Sequence, residues 1–426
     1  MNAGRDKKIV ILGGGFGGVR CALDLSLKLP AAKIILVDKN SYHSYYPDMY
    51  ELSSVVFPGG SRPLGRKDFL SIKSTLAIPF KDIFSGRKNV EVKEDAVLGV
   101  EPTKNEVFLS SGLPAGKAGR LTYDFLIIAL GSETNFFGIP HLGEYAQEFK
   151  TATDALNLRA GLEELFSRHG KHEKISVVIG GGGFTGTELA GELAFALPKL
   201  AASHGHPAGN VRLILAEGAS RLLSSAAPWF GKKAEKRLRK IGVEVMLESF
   251  ITDVQDGRIL LKGGREVLYS LLVWTAGVKA NRLAENLAGF PLEKNKCVAV
   301  DKNLRARGHE NIFVIGDLAY CVPPGASGPM PMTAQVAIEQ GHHAANFLSK
   351  RLGKVDKIEF HPQISRFIVP LGGKYALAEL GFMRISGFVP WLLKRFVALK
   401  YFASILPFGK AFVLWSRGLG VFMRND

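Results

Sequence analysis

Two glycine-rich stretches of identical spacing constrain this chain more than any other feature. The first, Lys7 to Val19, reads KKIVILGGGFGGV: a basic start, four apolar residues, then Gly13, Gly15 and Gly18 in G-x-G-x-x-G order. The second, from Ile175, reads ISVVIGGGGFTGTELAGEL, with Gly181, Gly183 and Gly186 in the same order. Each describes a buried parallel strand running into the N-terminus of a helix. The first glycine permits the tight turn, the second lets backbone approach a pyrophosphate, and the third lets the helix pack closely on the strand. Phosphates then sit on unsatisfied N–H groups at the positive end of the helix dipole. A glycine loop alone is a weak signal, but each is followed by a second strand ending in an acid: Lys33 to Val37 at Asp38, and Val211 to Ala216 at Glu217. Such an acid accepts hydrogen bonds from an adenosine ribose. Because Glu217 would also repel a 2′-phosphate, the sequence favours NADH over NADPH.

The rest of the chain reads as the completion of two such folds. Tyr123 to Leu130 (YDFLIIAL), ending in Gly131-Ser132, is a buried return strand, and Leu271 to Gly277 (LLVWTAG) is its counterpart. Asn311 to Tyr320 (NIFVIGDLAY) is a further buried strand ending in Gly316-Asp317, where an acid beside a glycine is placed to hold the polyol of a flavin; alternatively Asp317 caps a following helix. Val90 to Leu98 with Glu106 to Leu109 predict a small antiparallel addition, and Gly242 to Leu247 and Arg258 to Leu261 predict further strands. The segment NSYHSYYPDMYELSS, Asn40 to Ser54, predicts a loop beside the cofactor, and residues 138–170 a connector carrying a helix around Asp154 to Arg168. Residues 58–68 are rich in Gly, Pro and Arg, and Thr333 to Leu348 predicts a helix with small residues on one face. The fold class is α/β: two Rossmann-like dinucleotide-binding domains plus a C-terminal membrane-associated helical segment. The expected division is 1–172 with 298–372, then 173–297, then 373–426.

The 426 residues carry 55 basic against 39 acidic side chains, a formal charge of +16. That balance suits an anionic partner such as nucleic acid or a membrane surface, although a merely soluble basic surface accounts for it too. Cys21, Cys297 and Cys321 are odd in number and widely spaced, which indicates neither a disulfide framework nor a thiolate metal site. The first strand begins near residue 8, so no room is expected ahead of it for a signal or transit peptide, and a cytoplasmic setting follows. Between Phe388 and Arg424 lie Trp391, Phe396, Tyr401, Phe402, Phe408, Phe412, Trp415 and Phe422, interleaved with Lys394, Arg395, Lys400, Lys410, Arg417 and Arg424. No uncharged run there approaches the roughly 18 residues needed to cross a bilayer. An in-plane interfacial segment fits better, with a dimer interface or core helix as the competing reading.

Two dinucleotide folds followed by an I-G-D strand resemble the two-dinucleotide-binding flavoprotein superfamily. Within it, the chain resembles the type II (alternative, non-pumping) NADH:quinone oxidoreductases over nearly its whole length. The resemblance rests on YHSYYPDMYEL, GSETNFFGIP (Gly131 to Pro140), GFTGTELAGEL (Gly183 to Leu193), WTAGVKAN (Trp274 to Asn281) and AQVAIEQG. It implies FAD and NADH as cofactors. For the nucleotides it implies contacts from Gly13, Gly15, Phe16, Gly17, Gly18, Asp38, Lys39, His43, Gly131, Gly181, Gly183, Phe184, Gly186, Glu217, Ala276, Gly277, Gly316, Asp317, Ala334 and Gln335. It further implies that Glu188, in the first turn of its helix, orients the nicotinamide and joins proton delivery to quinone, with Gln335 and Glu339 near the quinone headgroup. The competing role for Glu188 is a carboxylate favoured by the helix dipole. A membrane quinone, an anionic membrane surface on the cytoplasmic face and a homodimer through the C-terminal region are the implied partners, with no nucleic acid and no metal. Two departures stand out: the family's A-Q-x-A-x-Q is here Ala334-Gln335-Val336-Ala337-Ile338-Glu339, with Gln340 next, and its A-T-G is Ala129-Leu130-Gly131.

Two other readings compete. A sulfide:quinone oxidoreductase shares the architecture but requires a pair of cysteines flanking the flavin. A flavin-bearing regulatory or binding protein would use the basic surface without turnover.

Overall fold

The computed structural model describes residues 7–55, 72–111, 119–287, 289–326, 328–352, 360, 367–381 and 383–423. The Gly/Pro/Arg-rich stretch 58–68 and Arg424 lie outside the described residues, as does the side chain of Phe422. The chain forms two compact units: Met1–Ser44, Ile78–Glu133 and Val278–Ile364 make one, and Tyr45–Ala77, Thr134–Gly277 and Ser365–Asp426 the other. These limits differ from the expected ones. Residues 134–172 fall with the second glycine loop, 278–297 with the first, and the C-terminal stretch belongs to the second unit.

The first unit is built on a five-stranded parallel sheet in the order Ile312–Val314, Phe125–Ile128, Lys8–Leu12, Lys33–Asp38, Val90–Glu94. Its central strand is solid core, Ile9 to Leu12 having no exposed surface, as a strand covered on both faces must be. Val90–Glu94 was expected in an antiparallel addition but pairs with Lys33–Asp38 at the parallel edge. The chain then breaks at Asp95, and a separate strand, Val97–Glu101, forms the antiparallel sheet with Glu106–Leu109 and Gly119–Thr122. Periodicity could not show that break, because edge strands and hairpin strands share the same alternation. Helix Phe16–Lys28 packs against helix Ala334–Leu352, which runs one turn beyond its expected end. Small residues let the two approach: a Cβ at Gly341 would lie 2.5 Å from the Gly17 carbonyl oxygen.

The second unit repeats the plan, with parallel order Gln147–Glu148, Leu271–Trp274, Ile175–Gly180, Val211–Ala216, Val243–Met246. The expected connector is part of it: Gln147–Glu148 supplies the edge strand, and a capping box between Thr151 and Asp154 starts helix Ala152–Arg168. On that helix Arg159 is buried, donating to the Val55 carbonyl at 2.6 Å and pairing with Glu163. The expected loop over Asn40 to Ser54 is also structured. It ends in helix Met49–Ser54, whose six residues are all buried, against Ala152–Arg168 and Phe184–Ser203. Its aromatic and apolar side chains are core, which is why a polar-looking segment holds a helix.

The C-terminal part begins with an antiparallel sheet, Ile368–Pro370, Ala376–Leu380 and Met383–Gly387, and continues in helices Phe388–Ile405 and Phe408–Phe422. Pro390 stands in the first turn of its helix, where no intrahelical hydrogen bond is lost. Pro407 alone separates the two. Among the described residues no helix is long and apolar enough to cross a membrane.

Candidate active site

The two glycine loops are near copies. Gly15 and Gly183 each precede their helix with extended backbone (φ −74°, ψ −168° and φ −72°, ψ −168°), and neither helix start is capped by a side chain. The first-turn N–H groups therefore have no intrahelical acceptor. A Cβ at Gly15 or Gly183 would meet nothing within 4 Å, whereas one at Gly18 would lie 1.9 Å from the Gly13 carbonyl oxygen and one at Gly186 1.8 Å from that of Gly181. Open space above the second glycine and closure at the third suit a pyrophosphate on an uncapped helix start. Gly13 and Gly181 take φ of +103° and +110° and press against Ala129 and Ala276 of the return strands. The strand-end acids also serve the loops: Asp38 accepts from Gly14 N–H at 2.6 Å and Glu217 from Gly182 N–H. Their other oxygens accept from Asn40 N–H at 2.8 Å and Ala219 N–H at 2.7 Å.

In the first unit, His43 is buried, with Nδ1 2.9 Å from the Gly14 carbonyl oxygen and its ring edge-on to Phe16. Burial pushes its pKa down to about 4, against that hydrogen bond, so the ring is neutral at pH 7. Lys39 is exposed. Gly131 and Gly316 have φ of +70° and +72°, and the Asp317 carboxylate accepts the Ser132 hydroxyl at 2.5 Å. No helix follows Asp317, only the short turn Gly316–Leu318 and a bridge strand, so the capping alternative falls away. Ala334 opens its helix, and one turn apart on it Gln335 Nε2 donates to Glu339 Oε1 at 3.4 Å. The deeply placed amide is instead Gln340, buried and accepting Gly316 N–H at 2.6 Å. A cavity of about 240 Å³ lies against Gly316, Tyr320, Met330, Val336 and Gln340.

The second unit holds Phe184, stacked on Phe367, and Gly277 with φ +117°. Glu188 stands five residues into helix Phe184–Ser203, beyond the first turn, where no acid occurs. The dipole effect fades within that turn, so it does not explain this carboxyl. Burial pushes Glu188 up to about 8; Lys394 opposes the shift, and Asp48 and Glu51 reinforce it.

Those neighbours were invisible in sequence. Asp48 and Glu51 are buried, and so are Lys394 and Arg395 of the tail helix. Arg395 Nη2 meets Glu51 Oε1 at 2.5 Å, and Lys394 Nζ lies 3.8 Å from Asp48 Oδ1 and donates to the Pro47 carbonyl at 3.2 Å. Lys394 and Arg395 are thereby corrected from surface cations to interior ones. Tyr50 is buried among them, its hydroxyl without a hydrogen-bond partner among the described residues. All three cysteines are free and buried. Burial pushes Cys297 and Cys321 up to about 11 and Cys21 higher still, so none is a ready thiolate.

A chain with two such loops, each closed by its own strand-end acid, has the fold of a dinucleotide-dependent oxidoreductase. It belongs to the pyridine nucleotide-disulphide oxidoreductase family, whose model matches residues 7–341. It is similar to the type II NADH:quinone oxidoreductase of Staphylococcus haemolyticus, 28% identical over 362 residues covering 81% of this chain and 83% of that one. It is likewise similar to the type II NADH:quinone oxidoreductase Ndh of Mycobacterium tuberculosis, 28% identical over 423 residues covering 93% and 84%. Among solved structures, NDH2 from Plasmodium falciparum in complex with NADH shares the fold, with a TM-score of 0.82 at 17% identity over 97% of each chain.

Proposed function

We propose that this chain is a type II NADH:quinone oxidoreductase, which oxidises NADH with FAD and reduces a membrane quinone by two electrons without pumping protons. The observation that carries the reading is the pair of uncapped glycine-loop helices, each with its own acid, in a chain whose curated relatives bear that name. FAD is assigned to the unit of the first loop: Gly13 to Gly18 take the pyrophosphate, Asp38 the ribose and Asp317 the polyol, with Lys39, His43, Gly131, Gly316, Ala334 and Gln335 around them. NADH is assigned to the unit of the second loop, with Gly181 to Gly186 on the pyrophosphate, Glu217 on the ribose, and Phe184, Ala276 and Gly277 beside them. FAD held by the first set of residues would supply the two-electron redox chemistry between NADH and quinone.

The chain's own residues bind, orient and supply protons. Quinone reduced by two electrons takes up two hydrogens; the hydride drawn from NADH accounts for one, and Glu188, whose carboxyl burial raises to about 8, is assigned the other proton and regains it from solvent. Gln335 and Glu339 are assigned to the quinone headgroup. Buried, unpaired and poorly ionised cysteines give no support to sulfide chemistry.

The tail helices are assigned to an anionic membrane on the cytoplasmic face. They expose Phe388, Val389, Leu392, Phe396, Phe408 and Phe412, with Lys400, Lys410 and Arg417 also exposed. Apolar side chains to enter the acyl boundary beside cations for headgroups meet both requirements of interfacial attachment. A homodimer through the same helices is the alternative occupant of that face. The test of function is the absorbance spectrum of the purified protein, followed under anaerobic NADH and then on addition of quinone. Bleaching of a flavin band by NADH and its return with quinone supports the reading; absence of either rejects it.

A further inference from the structure

Phe250 stands beside Glu217 with its ring 52% exposed, and it stacks on no other aromatic ring among the described residues. Lone exposed apolar residues are ordinary; what singles this one out is where the backbone holds it. Parallel strands Val211–Ala216 and Val243–Met246 end side by side, Ala216 opposite Met246, and the chain leaving the second stays tied to the chain leaving the first. Glu217 N–H donates to the Met246 carbonyl at 2.8 Å, Ser249 N–H to the Glu217 carbonyl at 2.8 Å, and Glu248 N–H to the Ala219 carbonyl at 3.0 Å. The Phe250 carbonyl in turn accepts Lys262 N–H at 2.8 Å, so the position is braced from both directions. The ring lies on the residue next to the acid: a Cβ at Gly218 would come within 3.1 Å of its Cδ2. Gly218 does not have a positive φ, so what glycine supplies there is room for the ring rather than a special backbone.

The carboxyl edge of such a sheet is where a dinucleotide lies. Each Glu217 oxygen uses one lone pair on its own loops, accepting from Gly182 N–H and Ala219 N–H, which leaves the second of each for a ribose diol. Adenine is bonded directly to that ribose and reaches whatever flat surface adjoins the acid. We propose that the Phe250 ring is the platform on which the adenine of the dinucleotide stacks, so that this unit reads the adenosine half of its substrate by a π-face as well as by Glu217. The inference deepens the function proposed above and rests on its assignment of NADH to this unit. An aromatic face holds a base through stacking rather than through its hydrogen-bonding edge. Adenine is also remote from the carbon that gives the hydride, so the contact strengthens ground state and transition state equally and acts on binding alone.

The experiment uses the full chain loaded with FAD and probes that divide the dinucleotide. ADP-ribose keeps the adenosine and lacks the nicotinamide; reduced nicotinamide mononucleotide keeps the nicotinamide and lacks the adenosine. Calorimetry measures ADP-ribose binding, and stopped-flow absorbance measures flavin reduction by NADH and by the mononucleotide. Phe250→Ala should weaken ADP-ribose about tenfold, the weight of one stacked base. It should raise the NADH concentration for half-maximal flavin reduction by the same factor and leave the limiting rate as it is. Reduction by the mononucleotide should be unchanged, and Phe250→Tyr, which keeps the ring, should bind ADP-ribose like the wild type. Undiminished ADP-ribose binding by Phe250→Ala, or equally weak binding by Phe250→Tyr, overturns the inference while NADH stays assigned to this unit. A mononucleotide rate that falls as far as the NADH rate overturns it too, because the loss is then not in the adenosine half. A wild type that binds no ADP-ribose overturns the inference together with that assignment.

Discussion

The carboxylate of Asp38 accepts the N–H of Gly14 at 2.6 Å, so the acid that ends the second strand also fixes the shape of the loop before the first helix. Its other oxygen takes the Asn40 N–H at 2.8 Å. Asp38→Ala leaves both donors without their acceptor, at a cost of roughly 1–3 kcal/mol each where water cannot replace it. The expected outcome is protein purified with less flavin and a lower urea midpoint, and full flavin content at wild-type stability would refute it.

Glu217 occupies the matching place in the second fold, and its charge is what a 2′-phosphate would meet. Glu217→Gln keeps an acceptor for Gly182 N–H but removes the anion. The NADH to NADPH ratio of kcat/KM should fall about tenfold, the weight of one charge-assisted hydrogen bond of roughly 1.5 kcal/mol. An unmutated enzyme that uses both nucleotides equally would remove the basis of the argument.

These two acids and the six loop glycines were readable because the motif is local: strand, turn, helix and acid lie within one short stretch of chain. The set around Glu188 was not readable. Asp48 and Glu51 are joined to Lys394 and Arg395 by tertiary structure alone, and in sequence all four look like ordinary solvated charges. The aromatic tail misled for the same reason, since Trp391 and Phe402 face inward while Phe396 and Phe408 face out. Helical periodicity marks a stripe but does not say which stripe the rest of the chain covers. Val90–Glu94 shows the limit for strands, whose partner is chosen by topology.

Gly15 and Gly18 differ in kind although they share a motif. A methyl at Gly15 meets nothing within 4 Å, while one at Gly18 would lie 1.9 Å from the Gly13 carbonyl oxygen. Gly15→Ala should therefore fold normally and lose FAD, because its methyl occupies the space of the phosphates. Gly18→Ala should fold poorly, with a loss above the roughly 0.5–3 kcal/mol of an ordinary substitution. Thermal melts and flavin content together separate the two, and equal stability of both variants would contradict the geometry.

The tail is better probed at its surface than by deletion. Cutting before Phe388 would expose Tyr45, Asp48 and Glu51, which the tail buries, so lost activity would say nothing about membranes. Replacing Val389, Leu392 and Phe408 with Ser changes exposed side chains and spares Phe396 and Phe412, which pack on Trp415. Each side chain buried in the acyl boundary contributes roughly 1.5–3 kcal/mol of apolar transfer, so the triple variant should leave anionic vesicles in a flotation assay with its melting temperature retained. Turnover should drop with long-tailed quinones more than with soluble ones. Undiminished flotation would move the attachment elsewhere.

Glu188 offers a test on stability that needs no substrate. Burial raises its carboxyl from an ordinary 4.5 to about 8 in the folded chain, with Lys394 opposing and Asp48 and Glu51 adding to the rise. Between those two values the folded state holds a proton that the unfolded state has released, so stability declines as pH rises. The contribution is complete below the unfolded value and gone once pH has passed through the folded one. Glu188→Gln carries no such proton, so its stability lacks this slope. The melting temperature of the variant should gain on wild type steadily from about pH 4.5 to about pH 8 and run parallel to it above. The same variant should slow reoxidation by quinone by roughly a hundredfold, the lower range for a positioned acid. In the wild type that step should weaken above about pH 8, as the carboxyl ionises. A difference in melting temperature that stays constant across the interval would mean that Glu188 titrates like a solvated acid, and its role as a proton store would fall with it.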